Sequence, residues 1–127
     1  MTPAEGLAEV YARARARDWA GVEALSHPTL EIHEAASLPF GGVWTGRDAF
    51  RRLAEAVFGT WAEAQVEVLD LAGGSTWAVM VLRFTMTSKR TGRRFTQTVC
   101  EAGRFEDGLL RELRIHYFDT AEVAAEA

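Results

Sequence analysis

Several ionisable side chains in this sequence stand inside apolar strands, and these are the residues with types and spacing suited to chemistry. Glu101 lies within Val99-Cys100-Glu101-Ala102, Arg83 within Val81-Leu82-Arg83-Phe84, and His116 within Ile115-His116-Tyr117-Phe118. A carboxyl held among apolar groups keeps its proton towards neutral pH and can donate it. On the wet face of a strand, Glu101 would instead be a solvated residue or a structural partner for an arginine. A buried guanidinium at Arg83 needs an anion, either Glu101 or a bound carboxylate or enolate; at a sheet edge it would simply extend its head into water. An imidazole is the side chain best suited to proton transfer near neutrality, which makes His116 a candidate.

A second group sits in the stretch from Ile32 to Asp48. His33 and Glu34 end an apolar strand, and as strand neighbours they point to opposite sides, so one of them enters any cavity. Pro39, Gly41 and Gly42 then turn the chain and present Trp44, read here as a lid over a ligand, with a wedge anchoring the loop as the alternative. Tyr11 lies on the apolar stripe of the first helix, where its hydroxyl needs a buried partner. Asp119 before Thr120 reads as a helix cap. His33, His116, Glu34, Glu101 and Asp119 carry metal-binding groups, but no His-x-His or His-x-x-x-His spacing occurs, so the reading contains no metal and no cofactor.

The elements that must hold these residues follow from periodicity. After Pro3, the residues Leu7, Val10, Tyr11 and Ala14 form one helical stripe against Arg13, Arg15 and Arg17. Asp18 can cap a short helix burying Trp19, Val22 and Leu25, ended by Pro28. Thr29 to Glu34 reads as a strand. Thr45-Gly-Arg-Asp48 resembles a capping box ahead of a helix carrying Phe50, Leu53, Ala54, Val57 and Phe58. From Glu63 the period becomes two, with Glu63, Gln65 and Glu67 alternating with Ala64, Val66 and Val68. Gly73-Gly74-Ser75 turns into a long strand to Ser88, Arg93 to Glu106 is another, and Asp107-Gly108 forms a hairpin into Leu109 to Phe118. Asp119 to Glu122 starts a last short helix. Helices first and a meander afterwards predict an α+β fold over residues 1–127 as one domain, with helices packed on a curved sheet whose long, doubly apolar strands curl around a pocket.

Composition narrows the partners. The 127 residues carry a formal net charge of -4, with 48% hydrophobic and 25% charged residues. No basic face dominates, so no nucleic acid is expected; Lys89, Arg90, Arg93 and Arg94 cluster at one hairpin tip. No apolar run reaches membrane length and no leader pattern opens the chain, so no membrane is expected and the cytoplasm is the default. The single cysteine, Cys100, reads as a buried thiol.

The order of elements and several motifs resemble the SnoaL-like branch of the nuclear transport factor 2-like superfamily. The motifs are Tyr11, Asp18-Trp19, His33-Glu34 with Leu38-Pro-Phe-Gly-Gly-Val-Trp-Thr-Gly46, Phe105-Glu-Asp-Gly108 and His116-Tyr-Phe-Asp-Thr120. The resemblance implies a cone-shaped half-barrel with N-terminal helices over it, an internal pocket, a homodimer and a small hydrophobic ligand. It places Arg114, Arg83, Tyr11, Trp44 and Phe118 on the substrate side, and His116, Glu101, His33 and Glu34 as catalytic groups. Compared with limonene-epoxide-hydrolase-like members, both catalytic aspartates are replaced, by Thr85 and His116. Compared with ketosteroid-isomerase-like members, Tyr11, Glu34 and Glu101 stand near the helix tyrosine, the base and the protonated acid. The resulting expectation is a cofactor-independent isomerase, cyclase or lyase acting on a carbonyl compound. A non-catalytic binding or dimerisation module is the alternative, and an epoxide-hydrolase-like hydrolase the third reading.

Overall fold

A computed structural model describes all residues from Met1 to Ala127. The chain forms α1 (Pro3–Arg15), α2 (Trp19–Ala24), β1 (Ser26–Glu34), β2 (Gly42–Thr45), α3 (Ala49–Thr60), β3 (Trp61–Gly73), β4 (Trp77–Ser88), β5 (Arg94–Glu106), β6 (Leu109–Tyr117) and α4 (Thr120–Glu126). The six strands make one curved, open sheet in the order β2-β1-β6-β5-β4-β3. Every neighbouring pair is antiparallel except β1 with β6, which run parallel in register Ile32 to Leu113.

The α+β architecture matches the expectation, with three local differences. Pro28 lies inside β1 instead of ending α2, because Leu25 already closes that helix. Gly42–Thr45, read as loop, is a short edge strand paired with β1, Trp44 opposite Ile32. The capping box before α3 does not form: Asp48 occupies the cap position without a side-chain bond to the backbone, and its carboxylate pairs with Arg52 at 3.1 Å. The caps at α2 and α4 do form, Asp18 accepting from the Gly21 N–H and Asp119 from the Glu122 N–H.

Helices α1 and α3 lie across the concave face, where Leu7, Val10 and Leu53 are buried with Ile32, Leu82 and Leu113. Helix α1 approaches the sheet closely because Gly6 faces Phe105: a Cβ built there would stand 2.7 Å from the phenyl ring. That approach fixes the height at which Tyr11, just over one turn later, meets the sheet. At the other end, α4 is tied to the β4–β5 hairpin. Gln97, buried, donates to Glu122 at 2.6 Å and accepts from the Asp119 N–H at 2.8 Å, while Arg93 pairs with Glu122 at 2.9 Å.

Candidate functional site

Between the helices and the concave face lies a cavity of about 650 Å³, and 21 of its 24 lining residues are hydrophobic. Ala12, Phe58 and Val68 line it and are also exposed, so it opens between α1, α3 and β3. Its polar groups are few: Tyr11 from α1, Glu34 from the end of β1, Glu101 from the middle of β5, Tyr117 from the end of β6, and Arg15. Alternation on each strand places them. Ile32 and Glu34 face inward on β1, Val99 and Glu101 on β5, and Leu113, Ile115 and Tyr117 on β6.

The Tyr11 hydroxyl donates to Glu101 Oε1, a bond between residues 90 apart in sequence. The Tyr11 ring is held edge-on by Phe50 of α3, with centroids 5.5 Å apart at 87°. Glu34 is 6% exposed, and its Oε1 has no hydrogen-bond partner. An unpaired buried carboxyl oxygen disfavours the charged form strongly. Burial, and then the charge of Glu101, push the Glu34 carboxyl up to about 8. Burial raises Glu101 to about 7, with the Tyr11 hydrogen bond working in the opposite direction. Burial and the neighbouring carboxyls raise both Tyr11 and Tyr117, so each phenol keeps its proton. The pair therefore gives up its first proton near neutrality and its second about one unit later. Tyr11's donation favours the charge on Glu101, leaving the remaining proton on Glu34. That is the reverse of the order implied by the ketosteroid-isomerase resemblance.

Tyr11, Glu34 and Glu101 meet in the cavity; the other sequence-derived candidates lie elsewhere. His116 is exposed on the outer face, because inward Ile115 and Tyr117 flank it. Arg114 is exposed on that same face and pairs with Glu112 at 2.5 Å. Arg83 also points outward, to Glu67 at 3.0 Å, since Leu82 and Phe84 on either side take the inward positions. Phe118 is 87% exposed beyond the end of β6. His33 faces away from the cavity, opposite Glu34, and is half-buried. Trp44 is the wedge and not the lid: its indole N–H donates to the Phe40 carbonyl at 3.0 Å, and Arg52 stacks over its ring at 5.8 Å. The roles at the cavity inferred for these six residues are therefore withdrawn.

Two lining residues escaped the sequence reading. Tyr117 is the inward neighbour of His116, as period two through Leu113, Ile115 and Tyr117 marks it. Arg15, grouped with the solvent side of α1, is four residues after Tyr11 and so shares its face.

The comparisons with known proteins agree with this fold. A nuclear transport factor 2-like protein from Burkholderia thailandensis superposes with a TM-score of 0.86 at 26% identity, covering 99% of this chain and 97% of that one. TerC, co-crystallised with polyporic acid, gives a TM-score of 0.79 at 19% identity over 96% of this chain and 95% of that one. A Mycobacterium tuberculosis protein in complex with estradiol-17β-hemisuccinate gives 0.68 at 16% identity, over 91% and 94%. No curated protein matches the sequence. The family model of the SnoaL-like domain matches residues 7–113, most of the sheet and all the elements that carry Tyr11, Glu34 and Glu101. The chain belongs to the SnoaL-like domain family.

Proposed function

We propose that the cavity is the active site of a cofactor-independent isomerase, cyclase or lyase that moves a proton beside the carbonyl of a small hydrophobic compound. The observation that carries this reading is the pair of buried carboxyls, Glu34 and Glu101, both raised into the neutral range inside an otherwise apolar chamber. Between about pH 7 and 8 the pair holds one proton. Glu101 is then a carboxylate able to take a proton from carbon, and Glu34 an acid able to protonate or hydrogen-bond the enolate oxygen. Tyr117, a phenol that keeps its proton, is a second donor for that oxygen. Small ligands bound by TerC and by the mycobacterial protein support a small-molecule occupant.

The test is α-proton exchange of an apolar cyclic enone in D2O, followed by NMR. Wild type accelerates exchange, Glu101→Gln abolishes the acceleration, and Glu34→Gln keeps part of it because the amide still donates. Exchange at the uncatalysed rate, with the enone visibly bound, refutes the enzyme reading.

A second reading is a carrier that binds without chemistry; the 21 hydrophobic lining residues favour it, since they suit retention of an apolar body as well as reaction. We also propose a homodimer through the outer sheet face, where Arg114 and His116 are exposed; sedimentation equilibrium measures it directly.

A further inference from the structure

We infer that the chamber is a binding site for apolar primary or secondary amines, which enter as ammonium ions and seat their nitrogen between Glu34 and Glu101. The inference rests on the cavity being a small-molecule site, not on the reaction proposed for it, and adds a class of ligand. The sheet supplies the geometry. Glu101 on β5 stands opposite Ile115 on β6, and Glu34 on β1 falls one residue beyond the parallel pair of His33 with Arg114, beside the same Ile115. All three line the cavity. The two carboxyls therefore flank Ile115 in one row, two strand spacings or about 10 Å apart at the backbone, and the concave curl of the sheet turns them towards each other. A nitrogen over Ile115 with two N–H groups can bridge both carboxylates.

The missing partner makes this a site for a cation. Glu34 is 6% exposed and its Oε1 is unbonded, while Glu101 accepts from Tyr11 through Oε1 alone. None of the chain's ion pairs involves either carboxyl. The other ionisable groups of the lining are the phenols of Tyr11 and Tyr117, which keep their protons, and Arg15, which is exposed at the rim. Folding has already taken both carboxyls out of water. An arriving ammonium loses only its own hydration and meets two counter-charges at low dielectric. A carboxylate ligand would be repelled, and a neutral one leaves the pair as it is. Since the pair still holds protons near neutrality, an ammonium displaces them as it binds.

The test is calorimetric titration of the full chain with 1-naphthylmethylamine and with 1-naphthalenemethanol, its neutral counterpart. The series runs from pH 5.5 to 8, where the amine stays protonated, in two buffers of different ionisation enthalpy. At pH 7.5 wild type should bind the amine about tenfold more tightly than the alcohol, the size of one charge-assisted contact beyond a neutral one. Amine affinity should rise with pH as both carboxyls ionise, while that of the alcohol changes little, and at pH 7 about one proton should leave the protein for each amine bound. Glu34→Gln and Glu101→Gln should each lose most of the preference and of the proton release while still binding the alcohol; urea midpoints separate this from loss of fold. Displacement of the amine by the alcohol places it in the chamber and not on the acidic surface. Equal affinities for the two probes, or amine binding that releases no proton or resists the alcohol, overturn the inference while leaving a neutral-ligand cavity standing. The wild-type pH series carries this decision even where a variant does not fold. If neither probe binds, the inference fails together with the small-molecule reading beneath it.

Discussion

Replacing Glu34 by glutamine should remove most of the loss of stability that rising pH causes in this protein. Glu34 goes from an unfolded value of 4.5 to about 8 when folded. In that interval the unfolded chain has released a proton that the folded one retains, so stability falls as pH rises from about 4.5 to about 8 and is level outside that window. At about 1.4 kcal/mol per pKa unit, the span bounds the penalty at roughly 5 kcal/mol. Water entering through the open side of the cavity and relaxation around Glu101 reduce it, so about 2 to 3 kcal/mol is the expected loss. That is a large share of the few kcal/mol by which a domain of this size stands folded. Urea denaturation followed by tryptophan fluorescence at several pH values from 5 to 9 reads it directly. Wild type should weaken steadily across the series. Glu34→Gln should start lower at pH 5, through an imperfectly paired amide, and then weaken much less, so that the two curves converge or cross. Parallel curves would mean that Glu34 ionises as it does in water, and would remove the physical basis for an acid in the cavity.

Three further outcomes follow from the geometry. Tyr11→Phe removes the donor to Glu101, so the Glu101 carboxyl should titrate higher than in wild type by carboxyl-detected NMR, with about 1 kcal/mol of stability lost. Gly6→Ala should cost about 1 to 3 kcal/mol by thermal denaturation, because the new methyl meets the Phe105 ring and lifts α1 from the sheet. Arg83→Ala and His116→Ala should change stability by about 0.5 kcal/mol or less and leave ligand binding unaltered, since both side chains are on the outer face; a loss of binding in either would contradict the placement.

The strand and helix content was legible because hydrophobic period and turn residues agree along most of the chain. Asp107-Gly108 turns the last hairpin, with positive φ at both residues. The site was legible where burial had to be compensated. Glu101 between Cys100 and Ala102 was visible as a carboxyl out of place, and Tyr11 as a phenol on an apolar stripe. Facing was harder to read. On β4, outward Val79 and Val81 are as apolar as inward Met80 and Leu82, so composition does not reveal which face Arg83 joins, and a slip of one residue reverses the answer. On β6 the alternation Leu113, Ile115, Tyr117 is clear, and only the chemistry of an imidazole favours His116 over Tyr117. The β2 strand was hidden for a different reason: its four residues, Gly42–Thr45, are too few for an alternation to show.

The bond from Tyr11 to Glu101 has a consequence for how the protein is made. Tyr11 leaves the ribosome 90 residues before its partner. Strand β1 must likewise wait for β6, synthesised last among the strands, before its parallel pairing can form. The early half of the chain thus holds a helix without its sheet and a strand matched on one edge only, by β2, while the rest is translated at about 5 to 20 residues each second. Pairings this far apart carry a high loop-closure cost and form late. The β3–β4 hairpin, which lines one side of the chamber, can form on its own, but the carboxyl of Glu101 and the phenol of Tyr117 join only when β5 and β6 have been made. The two acid groups and their phenols therefore meet only after the apolar walls around them can already exist.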